Sequence, residues 1–140
     1  REIVQAQGGH PGVVDDPAKY LPEAPLRVEI AADRTGVVHR VEPRVIGRAI
    51  TTLGGGRLRV DDTIDHAVGF RIHVKPGSAV RPGETLVTIL ARDATTLGAA
   101  REAIERAIVI GDSALPARPL ISHRVTAGGV EELAGSGASS

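Results

Sequence analysis

The sequence predicts an α+β domain in which short antiparallel strands carry two amphipathic helices on one side. Three observations lead there. Apolar residues alternate with polar ones at Leu26, Val28 and Ile30, and again at Val68, Phe70, Ile72 and Val74, the period of a half-buried strand. Apolar residues instead recur at helical spacing at Val45, Ile46, Ala49, Ile50 and Leu53, and at Leu97, Ala100, Ile104, Ala107 and Ile108. Two turns, Lys75-Pro76-Gly77-Ser78 and Arg81-Pro82-Gly83-Glu84, lie between these patterns. Pro followed by Gly suits a type II turn, whose second central residue needs positive φ.

In chain order, Arg1–Gln7 reads as the end of a helix, with Ile3, Val4 and Gln7 running into Gly8-Gly9. Residues 8–25 are rich in proline and glycine and predict an extended connector with at most one helical turn. The first strand covers Leu26–Ile30, Asp33–Gly36 form a turn, and Val37–Val41 make the second strand. Pro43 suits the first position of a helix, and Gly54 can end that helix in the left-handed conformation. Strands follow at 68–74 and 86–90. A second helix is expected over 96–110, with Arg101–Glu105 and Glu102–Arg106 as exposed pairs one turn apart. Leu120–Val125 is expected as a closing strand. The domain is thus placed at 26–126, after an end of helix and connector over 1–25 and before a disordered tail over 127–140.

Composition narrows the function. A chain of 140 residues is one domain by default and buries roughly 70% of its unfolded surface. Basic and acidic residues number 17 each, and the only aromatics are Tyr20 and Phe70. Nothing therefore suggests nucleic acid, through either a basic face or a stacking platform. The absence of cysteine excludes disulfides and thiolate metal sites and fits a cytoplasmic protein. No apolar run approaches the ~20 residues that span a bilayer. Without methionine, and opening on Arg1, the chain is expected to be a C-terminal piece of a longer protein.

Leu53-Gly54-Gly55-Gly56-Arg57 and Asp62-Thr63-Ile64-Asp65-His66-Ala67-Val68-Gly69 form the most specific stretch. With Ala6–Gly9, Tyr20–Pro22, Gly36–Val38, Ile46-Gly47 and Lys75–Gly77, they give the chain its family likeness. It resembles the C-terminal domain of thymidine and pyrimidine-nucleoside phosphorylases over about residues 2–123. The resemblance implies an α/β-hammerhead whose antiparallel hairpins are like half of a barrel-sandwich hybrid, with two packed helices. It implies a parent pentosyltransferase that converts pyrimidine nucleoside and phosphate to free base and pentose 1-phosphate. It further implies a homodimeric parent in nucleoside salvage, with phosphate as co-substrate and the N-terminal domains of the same polypeptide as partners. The base- and phosphate-contacting motifs of the family lie upstream, so no catalytic, cofactor or metal residue is assigned in this chain.

The tempting sites have bland alternatives. Gly54, Gly55, Gly56 and Arg57 invite a phosphate-loop reading, but they lack the glycine spacing and the Lys-Ser/Thr ending of such loops. They also follow a helix, whose C-terminal end repels anions. A structural cap and an interdomain loop over Gly54, Gly55, Gly56, Arg57 and Asp62 are the remaining readings. In the interdomain version, the loop moves and Arg57 meets an acidic group across a cleft. Asp61, Asp62, Asp65 and His66 could be oxygen-rich ligands, or a solvated acidic turn in which Asp61 or Asp62 takes nearby backbone N–H groups. His39, His66, His73 and His123 lack zinc-site spacing. A biotinyl- or lipoyl-like carrier is an alternative reading of the Pro-Gly turns. It would need a modified lysine at a turn tip, whereas Lys75 only opens its turn. A nucleoside-monophosphate phosphorylase with the same C-terminal domain is a third reading.

Overall fold

The computed structural model describes residues 1–116 and 121–133 and shows an α+β arrangement in which every strand pair is antiparallel. The chain opens with a short helix, α1 (Glu2–Ala6). The connector then contains a 3-10 turn at Pro11–Val14 and one turn of helix, α2 (Pro17–Tyr20). At most one helical turn was expected here. A second forms because each proline sits at a helix start, behind His10 and Asp16 side chains that accept N–H groups of the first turn.

One sheet has the order β1-β5-β3, from Leu26–Ala31, Thr85–Ala91 and Gly69–Ile72. Leu26 lies opposite Ala91, and Gly69 opposite Leu90. The other has the order β4-β2-β6, from Ala79–Val80, Gly36–Val41 and Ile108–Gly111. Central strand β5 is covered on both faces, with Leu86, Val87, Thr88, Ile89 and Ala91 all buried. Buried Thr88 has a partner, the His73 ring at 2.9 Å. The Pro-Gly turns are as expected: Gly77 and Gly83 have φ of 93° and 84°. Ser78 donates to the Lys75 carbonyl, and Glu84 to that of Arg81.

Helix α3 (Pro43–Thr52) starts on its proline and packs on α4 (Ala94–Ala107). Asp93 caps α4 by accepting from Thr95 and Thr96 at 2.9 Å, which holds its carboxyl below the usual carboxylate range. Ala100, Ile104 and Ala107 are fully buried, and the core joins α4 to both sheets through Ile30, Val38, Val80 and Ile89.

The second helix ends earlier than its apolar stripe suggested. Ile108, Val109 and Ile110 leave it to form β6, paired with β2. Three successive β-branched residues are stiff in a helix and suit a strand. The closing strand is β7 (His123–Thr126), which makes a hairpin with β8 (Gly129–Glu132) rather than joining either large sheet. Leu120, where that strand was expected to start, lies outside the described residues. Residues 127–133 correct the expected tail: they carry the hairpin turn and β8, because Gly128-Gly129 permits a tight reversal. The rest of that tail, 134–140, also lies outside the described residues.

Candidate functional site

The stretch from Gly54 to Asp65 is a loop whose ends meet: the Asp65 N–H donates to the Gly54 carbonyl at 2.9 Å. It connects α3 to β3. Closed ends over a dozen residues are the mark of an Ω-loop.

Each glycine has its own structural reason. Gly54, at φ 91°, follows the helix cap at Leu53 in the left-handed region that glycine adopts without strain. A Cβ on Gly55 would stand 2.9 Å from the Ile50 Cγ2 and 3.2 Å from the Val68 Cγ2. A Cβ on Gly56 would stand 2.8 Å from the Thr51 hydroxyl. The N–H groups of Gly54 and Gly55 donate back to the carbonyls of Thr51 and Ile50, both at 3.0 Å. Groups turned into the end of α3 cannot cradle a phosphate. The phosphate-loop reading thereby loses two of its donors, the N–H groups of Gly54 and Gly55.

Asp62 organises the tip. One of its oxygens accepts from Leu58 N–H at 2.9 Å and Arg59 N–H at 2.8 Å. This is the backbone-satisfying role weighed against metal binding, carried by Asp62 while Asp61 is exposed. Among the described residues, no three His, Asp or Glu side chains come together as a metal-binding group. Arg57 is exposed and has no ion pair among the described residues. Beside it, Leu58 is 84% and Val60 87% exposed, the two largest values among the exposed apolar side chains of the described residues. The tip Arg57–Val60 thus alternates cation and hydrophobe, all facing outward.

Asp65, a candidate ligand by residue type, has another role. In the structure it secures the base of the loop. Arg92, just past β5, grips both of its oxygens, Nε to Oδ2 and Nη2 to Oδ1, each at 2.9 Å. Ala67 N–H also donates to it at 3.0 Å. That backbone bond, then the guanidinium, holds the Asp65 carboxyl below its usual range. A lowered carboxyl contributes stability above its unfolded-state pKa and loses it as pH falls through the folded one. The clamp is therefore intact at neutral pH and opens only in acid.

The remaining candidates make local contacts or stand exposed. His39 bonds the Ser113 carbonyl at 2.8 Å and covers Gly111, where a Cβ would meet its ring. His73 holds Thr88, His123 contacts the Ser122 hydroxyl at 3.0 Å, and His66 is exposed. Lys75 sits at the start of its turn with its N–H on the Ser78 hydroxyl, and α3 and α4 are foreign to an all-β carrier. Two open clefts of about 600 and 630 Å³ lie elsewhere, and neither is lined by residues 54–62.

Residues 37–111 match the family described as pyrimidine nucleoside phosphorylase C-terminal domain. The chain is 41% identical over 123 residues to a thymidine phosphorylase of Burkholderia cenocepacia, covering 88% of this chain and 28% of that protein. It is 40% identical over 111 residues to a thymidine phosphorylase of Burkholderia orbicola, covering 79% of this chain and 25% of that protein. The chain therefore spans about a quarter of the length of these relatives.

Proposed function

Because the chain belongs to the pyrimidine nucleoside phosphorylase C-terminal domain family, we propose that it serves as the non-catalytic C-terminal part of a thymidine phosphorylase-type pentosyltransferase. In the parent reaction a phosphate oxygen bonds to the pentose C1′ as the bond to the base nitrogen breaks. The base departs with the bonding pair and takes up a proton. That chemistry needs cations around phosphate and donors that stabilise the leaving base. The Gly54 and Gly55 N–H groups of this chain are turned into a helix end instead.

The observation that carries the reading is the family match over residues 37–111. The outward tip at Arg57–Val60 supports an interdomain role: Arg57 pairs with an acidic group of the preceding domains when the cleft closes, with Leu58 and Val60 against an apolar neighbour. The same proposal takes the parent to be a cytoplasmic homodimer in nucleoside salvage, with phosphate as co-substrate and no cofactor held by this chain. No described helix is long and apolar enough to cross a membrane. The test is thymine release from thymidine plus phosphate. The parent polypeptide should catalyse it and the purified 140-residue chain should not. Turnover by the pure chain would place catalytic groups here and overturn the proposal.

A further inference from the structure

The Ω-loop has two kinds of attachment. Its tip is bonded to itself through Asp62, whereas its base is bonded to the domain at Asp65. Asp65 gathers three connections: its own N–H to Gly54 at the loop start, its carboxylate to Ala67 at the entry to β3, and both oxygens to Arg92. Gly54 and Ala67 are the neighbours of Asp65 through the loop itself. Among the described residues, Arg92 alone reaches it from a distant element, 27 residues along the chain.

A guanidinium that grips both oxygens of a carboxylate fixes direction as well as distance, because two parallel N–H···O bonds resist rotation. Without Arg92, Asp65 keeps the Ala67 N–H and its own backbone bond, so the loop stays closed at its ends but loses the side-chain grip that ties its base to the end of β5. We propose that Arg92 is a positioning residue: through Asp65 it sets the angle at which Arg57–Val60 leaves the domain, and hence how readily that tip meets the preceding domains. This rests on the interdomain role given above.

If closure limits turnover, a misaimed tip slows catalysis without weakening binding to the open form. In the parent enzyme, Arg92→Ala should lower kcat by about fivefold and leave KM within about twofold. Asp65→Asn keeps an acceptor for Ala67 and removes the charge that Arg92 grips, so it should reproduce the loss. The double variant should be no worse than either single one, since both remove one interaction. In the 140-residue chain, Arg92→Ala should also speed trypsin cleavage after Arg57 and Arg59 by several-fold. Wild-type kcat in both single variants, additive losses in the double variant, or an unchanged cleavage rate would each overturn the proposal. A parent that carries out no phosphorolysis would overturn the functional reading itself, a result distinguishable from these because it appears before any substitution is made.

Discussion

The segment Lys75–Glu84 and the loop Gly54–Asp65 are both glycine-rich excursions, yet they direct their hydrogen bonds in opposite directions. In the first, the turns are bonded to β2 and to Ala32 just past the end of β1. Gly77 N–H donates to the Val38 carbonyl at 2.8 Å, and Gly83 N–H donates to that of Ala32 at 2.9 Å. Ala32 and Val38 answer by donating to Glu84 and Ser78, so each turn is clasped from both sides. In the second, the tip closes on itself through Asp62, and its apolar side chains point into solvent. Apolar residues that serve the fold are buried, as Val80 is at the heart of the first segment. Leu58 and Val60 bury almost nothing among the described residues, which leaves them available for the interdomain contact proposed above.

That contrast can be broken by substitution. The largest effect is expected at Gly77. The site has open space for a side chain but a φ of 93°, so strain is the only penalty. Gly77→Val should lower stability by about 1–3 kcal/mol, read by chemical denaturation followed by circular dichroism. The smallest effect is expected at the other excursion. Replacing Leu58 and Val60 together by serine should change the stability of the 140-residue chain by less than about 0.5 kcal/mol. A clear destabilisation would mean that the tip packs on its own domain and the contrast is false.

Much of the fold was legible in the sequence because it rests on local chemistry. Alternation at Leu26–Ile30 located β1, and Pro43 and Gly54 marked both ends of α3. The two Pro-Gly pairs specified turns that no other residues would favour as strongly. What was missed depends on partners distant in the chain. Ile108 satisfies the helical spacing after Ile104 and Ala107 as well as it satisfies a strand, and pairing with Val41 decides the outcome. Two-residue strand β4 exists only by pairing with Gly36 and Val37. The β7–β8 hairpin is a different case, since Gly128-Gly129 between short polar-apolar runs is a hairpin signal in its own right.

The candidate site was half legible. Gly54 as a left-handed cap, and Asp62 as a carboxylate turned onto nearby N–H groups, follow from residue type and spacing. The tight packing of Gly55 and Gly56 does not, because it depends on Ile50, Thr51 and Val68 arriving at the same place. Nothing near Arg92 marks it as the partner of Asp65. The exposure of Leu58 and Val60 was equally hidden, since apolar residues between strands and helices are read as core by default.

The central claim is that Gly54–Asp65 faces another domain rather than its own. The most direct measurement is Arg57→Ala in the parent enzyme, with kcat/KM and melting temperature recorded on the same preparation. An exposed cation without an ion pair among the described residues should contribute little to folding, so Tm should stay close to the original value. Loss of its contact across the cleft should lower kcat/KM about tenfold, equivalent to ~1.4 kcal/mol. A variant that melts early yet retains kcat/KM per folded molecule would make Arg57 a structural pin and contradict the account.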